Sequence, residues 1–474
     1  MNFPPLTHLA FLGCIVVTFP AIGIANDSSK DDASKPTMVM SVVGNNAMPT
    51  NIVKPGSRWN FGPGSLWTHR GWQYAAYWDD KKQVSVARRQ LPNGNTPGSP
   101  WSVLSLPGYQ RTDNIDRGKG GKISRGFGDG HEKVAMGISD DGYLHLSFDH
   151  HLSTLRYRHS LQPIANAPET ANWNAEAFSP VLNNLGRVSR SRNSRNRRNA
   201  AGPKIESVTY PSFVTADDSL FLYLRLGGGS GSANSHLFRY RRGRWLDNQE
   251  PTSQFIDKAW SGGDKTVNAY PFGIQFHKGR LHITWCWRDT PDSTTSHDLC
   301  YAYSDDLGVT WRNNDGAMVA KRGTHFITAD TPGITAMKIQ SGNKYRNGGS
   351  MAVDQNGRVH VLARGEDGSP THYQRDPATG KWTRQSSSTD GALIPGANGA
   401  MFIVSHEGLY QMPVSNSGEA KLVANGKPEL FEDCKMGIDK ARPSQDGWLS
   451  VMGQINKKVT VIDYWVGKPS PKTD

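Results

Sequence analysis

One short pattern recurs along the chain and constrains its fold more than any other feature. It is a tight turn carrying Gly or Asp, then an alternating apolar strand, then a second strand. The turns fall at Arg70-Gly71, Asp141-Gly142, Asp217-Asp218, Lys278-Gly279, Asn356-Gly357, Glu407-Gly408 and Asp446-Gly447. Strands are expected after them over 72–78, 143–148, 220–224, 280–285, 358–362, 409–412 and 448–452, because each run alternates and is rich in β-branched and aromatic residues. One such unit cannot bury both of its faces, whereas a radial stack of units can. Seven units therefore predict an all-β, seven-bladed β-propeller. The intervals between turns are uneven, as expected where loops build a site on one end of the ring. No segment has convincing helical periodicity, and 50 Gly with 14 Trp suit many short, aromatic-stitched strands. Ser304 to Trp311 follows S-x-D-x-G-x-T-W, the Asp-box turn of sialidase-like blades.

The ends bound the compartment. Residues 9–24 form an uncharged apolar run, and Gly23-Ile24-Ala25 places small residues for cleavage, so residues 1–25 read as a secretory signal. A run of that length with an internal Pro20 is short for a membrane span. Leu12-Gly13-Cys14 is a poor lipobox, since the apolar run continues past it. Residues 26–36 are polar and expected to be disordered, which leaves 37–474 as a single catalytic domain in a periplasmic or extracellular protein.

The formal charge of +12 favours a polyanionic partner. Export makes that partner an acidic glycan rather than nucleic acid, with no stable membrane association, and the chain is expected to be a monomer. Arg187, Arg190, Arg192, Arg195, Arg197 and Arg198 crowd into residues 186–199. The bland account is a solvated insert; the sharper one is a tether that captures a polyanion without joining the chemistry.

Three stretches could carry chemistry. In the first, His131 closes a Gly-rich loop at 126–130, and His150 and His151 end the strand that begins at Tyr143. A hairpin would return His151 to His131 as an acid/base or ligand pair, against the alternative of structural histidines. The second runs Val208-Thr209-Tyr210-Pro211 and then Arg225 into the glycine run 227–231, which would let a substrate approach backbone or would serve as a flexible turn. The third holds Asn268, Tyr270, Trp287 and Arg288, which could stack on and pair with an acidic sugar or could pack the blade. Cys286, His297 and Cys300 lie in and beside one expected hairpin, with His236 or His282 available as a fourth group. Structural Zn²⁺ and a Cys286–Cys300 disulfide weigh equally there, with free thiols third. Cys434 is the remaining cysteine of the exported chain.

Taken in order, "GH…DDGYLHLSFDHH…LRYRHS", "TYPSF…LRLGGGSG" and "NAYPFG…LHITWCWRDT…HDLCYAYSDDLGVTW" resemble the BNR-4 propeller group that contains the ulvan lyases. The resemblance covers roughly 59–465. It implies a polysaccharide lyase whose catalytic cluster is His131, His151, Tyr210 and Arg225. It also implies a structural zinc, for which Cys286, His297, Cys300 and His236 are the expected ligands, while Asn268, Tyr270 and Arg288 of the third stretch are the expected substrate contacts. The implied substrate is a sulfated uronic-acid polysaccharide, cleaved by β-elimination with no redox cofactor. Two rivals stand beside this reading: a sialidase-like hydrolase, which would need an arginine triad and an acidic pair, and a non-catalytic glycan-binding propeller.

Overall fold

Alternation along each strand decides how this chain packs. In Trp72–Trp78, Tyr74, Ala76 and Trp78 enter one buried cluster while Ala75 and Tyr77 enter another. In Ser219–Gly227, Leu220, Leu222, Leu224 and Leu226 go one way and Phe221 and Tyr223 the other. Successive residues point to opposite faces of a sheet, so strands apolar on both faces must be covered on both sides. The chain meets that demand by stacking sheets face to face. The computed structural model describes residues 38–45, 64–94, 96–111, 114–116, 122–124, 131, 133–186, 188, 202–246, 252–405, 407–413, 419–424 and 437–467. The expected signal segment, the polar lead-in, the loop at 126–130, all six arginines of the 186–199 insert and Cys434 lie outside the described residues.

The first sheet runs Leu66–His69, Trp72–Trp78, Val84–Gln90 and Ser102–Leu106 in sequence order. The second holds Val134–Ile138, Leu144–Phe148 and Tyr157–His159. A larger sheet follows. Its first half is His151–Ser153, Val208–Ala216, Ser219–Gly227 and Ala233–Arg241; its second half contains Asn268–His277, Arg280–Arg288 and Ser296–Ser304. A single parallel bridge, Ala233 to Asn268, joins the halves. Two four-stranded sheets come next, beginning at Gly349–Val353 and at Ala392–Pro395. The last sheet is Gly437–Asp439, Trp448–Ile455 and Lys458–Trp465, completed by the N-terminal strand Met38–Gly44, which pairs Met38 with Tyr464. Neighbouring sheets share apolar clusters throughout, and the last packs on the first through Val43, Val459 and Val461 against Leu66, Ala75 and Ala87. Among the described residues the only α-helix is Arg442–Gln445. No helix there is long and apolar enough to cross a membrane. The fold is all-β and propeller-like.

The seven expected turns each join two strands of a different sheet or half-sheet. At Arg70-Gly71 and Lys278-Gly279 both central residues have positive φ, the form whose twist matches the flanking strands. The Asp-box is a structural turn. Asp306 accepts from the Thr310 amide at 2.8 Å and its hydroxyl at 2.6 Å, and Trp311 stacks on Phe255 with centroids 4.8 Å apart.

A buried polar latch ties the first sheet to the last. Asp463 accepts from Arg89 at 2.6 Å, from Arg442 at 2.7 Å and from Ser450 at 2.6 Å. Burial alone would raise its pKa, but the two guanidinium groups outweigh burial and hold it below the usual carboxylate range. Asp463→Asn would leave buried Arg89 without its counterion and Arg442 with Asp446 alone, so it should cost about 3–5 kcal/mol of stability near neutral pH. A depressed pKa stabilises above the unfolded value and is lost as pH falls through the folded one. Thermal melts should therefore show the variant and wild type converging in acid. An unchanged melting temperature at pH 7 would remove the latch from the account of closure.

Candidate active site

Strand Val208–Ala216 lies between His151–Ser153 and Ser219–Gly227, and Thr209 pairs with both His151 and Arg225. Those three positions sit at one level across adjacent strands, spaced by about 5 Å. Register then slips between Thr209 and Ser212, and Tyr210 adopts φ of +58°. Pro211 explains the slip, because it has no N–H for the ladder. A tyrosine in that backbone region costs on the order of 1–3 kcal/mol, which the surrounding packing must offset. The next half-sheet repeats the device: Ala269-Tyr270-Pro271 is followed by a slip between Pro271 and Gly273.

These two bulges set the side-chain geometry. The His131 ring stacks on His151 with centroids 4.0 Å apart and lies 5.3 Å from the Tyr210 ring. The Arg225 guanidinium carbon is 4.6 Å from the Tyr210 centroid and 4.7 Å from that of Tyr270. The two phenol rings meet edge-on at 6.1 Å. The Arg288 guanidinium lies 5.5 Å from the Tyr270 ring, and Asn268 Nδ2 donates to the Gly229 carbonyl at 3.2 Å. The expected catalytic residues His131, His151, Tyr210 and Arg225 thus form one cluster, with Asn268, Tyr270 and Arg288 beside it.

Arg225 is 3% exposed, and its Nε and Nη1 have no hydrogen-bond partner among the described residues. Asn268 Oδ1 is likewise buried and unpartnered among them. Aromatic faces attract a cation but do not satisfy its N–H groups. A planar, doubly donating group in that state suits a carboxylate. Burial works to raise the Tyr270 pKa, yet Arg225, a hydrogen bond with Ser230 and Arg288 together bring it below the ordinary phenol value.

The other histidines of the first stretch are structural. His150 is buried with its nitrogens on Ser147 at 3.0 Å and Ser153 at 3.2 Å, and burial holds its pKa far down. His145 bonds the Tyr157 hydroxyl at 2.6 Å inside the core. Sequence reasoning missed Asp149. This buried carboxylate accepts from the Tyr109 hydroxyl, lies 3.7 Å from Arg111 Nε and 3.8 Å from Arg156 Nη1, and shapes the turn into His151. Its partner Tyr109 is 40 residues away in sequence, so no local pattern marks the contact.

The four expected zinc ligands do not converge. Among the described residues no group of three or more His, Cys, Asp or Glu surrounds a position that could hold a metal ion. Cys300 faces the cluster of its cross-strand partner Trp285, while Cys286 enters the cluster on the opposite face. Both thiols are free and buried, and burial raises both pKa values, which disfavours thiolates. His297 engages Asp289 at 2.9 Å and Asp298 at 3.1 Å, one with each nitrogen, and stacks on Trp260. His236 bonds Ser253 at 3.0 Å, and burial pushes it down to about 3. Alternation explains the separation, since residues 285 and 286 cannot share a face. The arrangement fits neither the Zn²⁺ centre nor the Cys286–Cys300 disulfide.

His297 carries a different consequence. Burial opposes its charge, but Asp289 and Asp298 raise its pKa to about 9. A raised pKa stabilises the fold fully below the ordinary value of about 6.5 and ceases to do so as pH rises through about 9. His297→Gln should therefore melt below wild type near pH 6, and the gap should close above pH 9. A gap independent of pH would mean that the ion pairs contribute nothing.

Fold and site together define a propeller-like protein whose site joins two imidazoles, two phenols and two guanidinium groups. The chain belongs to the BNR repeat-containing family, whose sequence model matches residues 72–389. It is 23% identical over 280 residues to the long isoform of ulvan lyase from Pseudoalteromonas sp. (strain PLSV), covering 52% of this chain and 27% of that protein. It is 23% identical over 269 residues to the long isoform of ulvan lyase from Alteromonas sp., covering 50% and 26%. The match spans about a quarter of the length of these relatives. Among solved structures, polysaccharide lyase Uly1 superposes with a TM-score of 0.63 at 16% identity, covering 90% of this chain and 98% of that one. The PL25 ulvan lyase bound to -[GlcA(1-4)Rha3S]- gives 0.58 at 14% identity, covering 90% and 96%. At these identities the likeness shows a shared fold.

Proposed function

We propose that this protein is a secreted polysaccharide lyase that cleaves a sulfated uronic-acid polysaccharide of the ulvan type by β-elimination. The sheets are read as seven blades closed by the Met38–Gly44 strand. The observation that carries the functional reading is the buried, incompletely bonded guanidinium of Arg225, held against two phenols, one of which touches the stacked pair His131–His151. The names of the sequence relatives support the substrate class.

A uronate C5 proton is weakly acidic because the adjoining carboxylate is already negative. Arg225, with His151, neutralises that carboxylate and stabilises the enolate-like charge as it develops. His131 and Tyr210, in ring contact, share the proton work: one removes the C5 proton, and the other protonates the departing C4 oxygen. Asn268, Tyr270 and Arg288 hold the sugar next to the scissile bond. The step moves a proton and an electron pair with no net oxidation, so it requires no redox cofactor.

The test is a panel of uronic-acid polysaccharides followed by ultraviolet absorbance of the C4–C5 double bond. Elimination raises absorbance as chains shorten. New reducing ends without absorbance would identify a hydrolase, and binding without cleavage would identify a glycan-binding module. Either result overturns the proposal.

A further inference from the structure

The glycine run is exposed at Gly227, Gly228 and Gly229, yet its turn is not free. Gly227 still belongs to the Arg225 strand, and the turn that follows is tied at three places. The Gly228 amide donates to the Ser232 carbonyl at 2.8 Å, Asn268 Nδ2 donates to the Gly229 carbonyl at 3.2 Å, and the Ser230 hydroxyl bonds the Tyr270 hydroxyl at 2.8 Å. Gly231 has φ of +89°, and a Cβ there would lie 2.2 Å from the Asp289 carbonyl oxygen. Only glycine lets the turn press this closely on the loop after Arg288. The turn bridges the half-sheet that carries Tyr210 and Arg225 to the half-sheet that carries Asn268, Tyr270 and Arg288. It does so just where Ala233 and Asn268 make a parallel backbone bridge between the two.

We propose that Ser230 is a positioning residue: its hydroxyl fixes the phenol of Tyr270 against Arg225, and the glycine run is shaped to deliver it. Arg225 lies against both Tyr210 and Tyr270, whose rings meet edge-on beside it, so whatever fixes one ring helps fix the guanidinium plane. Tyr210 is held by its own bulge, whereas the hydroxyl of Tyr270 is held by a group from the other half-sheet. An arginine that must meet a planar carboxylate with two parallel N–H groups depends on that plane. The Tyr270 phenol sits below its ordinary pKa despite burial chiefly through Arg225, and Ser230 and Arg288 add to it in favouring the ionised form. The kinetic consequence rests on the lyase reading above; the structural claim does not.

Two measurements on the full chain test it. The first needs no substrate. In an ultraviolet pH titration, the Tyr270 phenol is identified as the ionisation that disappears in Tyr270→Phe. It should move upward by about one pH unit in Ser230→Ala and return in Ser230→Thr, which keeps the hydroxyl. The second is a double-mutant cycle on the polysaccharide that gives the ultraviolet signal. Ser230→Ala should lower kcat/KM about tenfold, mostly in kcat, and Ser230→Thr should recover most of the loss. In a Tyr270→Phe background Ser230→Ala should add nothing, because its only route to Arg225 is already cut. An unmoved titration, or losses that simply add in the cycle, would overturn the proposal. Absence of lyase activity would remove the lyase reading while leaving the titration to decide the role of Ser230.

Discussion

Arg225→Ala is expected to lower kcat by about 10²–10³ on the best substrate, the range seen when a charge-stabilising group is removed from a preorganised site. The same substitution should leave melting temperature unchanged or raise it. A buried guanidinium with Nε and Nη1 unbonded costs stability, since its N–H groups have given up water without a full replacement. Removing it relieves that cost and leaves no buried anion behind. Arg225→Lys separates two explanations. It keeps a positive charge but loses the planar fork, so partial recovery would assign part of the effect to charge and the rest to two-point geometry. Loss of folding in Arg225→Ala would make the residue structural. Near wild-type kcat in a folded variant would end its place in the mechanism.

His131→Ala and Tyr210→Phe should each reduce kcat by about 10²–10⁴, the span of a positioned acid or base. The two substitutions should also change the pH profile in different ways. An elimination with one base and one acid gives a bell-shaped dependence of kcat/KM, and each variant should flatten one limb. The limb lost in His131→Ala identifies its role, and Tyr210→Phe should take the other. If neither variant alters the profile while both lower kcat, the residues position substrate and the proton passes elsewhere. If Tyr210→Phe keeps full activity, the strained backbone at Tyr210 serves only to place Pro211 and the bulge.

The repeated turns were legible because each depends on a few consecutive residues. Arg70-Gly71 and Lys278-Gly279 need only φ > 0 at two positions, and Trp72–Trp78 follows its turn with the predicted bounds. The Asp-box was legible for the same reason, since Asp306 bonds groups within four residues of itself. Periodicity also marked a strand at 220–224, inside the observed Ser219–Gly227. It could not say that the two faces of that strand enter different clusters shared with different neighbours. Nor could it reveal the latch at Asp463, whose partner Arg89 is 374 residues away.

By itself, then, the sequence determined the strand content, the turns, the family and the set of polar residues able to form a site, because those follow from local spacing and from ordered motifs. Tertiary structure alone decided which of those residues meet. His131 and His151 stack while His150, next in the chain to His151, is consumed by Ser147 and Ser153. Tyr210 and Tyr270 both lie against one arginine at two bulges, one in each half-sheet. Cys286 and Cys300, suggestive in sequence, are sent to opposite faces of one sheet. Strand register is the physical reason: a shift of one residue exchanges core for site and one face for the other, and register is set by pairing between distant segments.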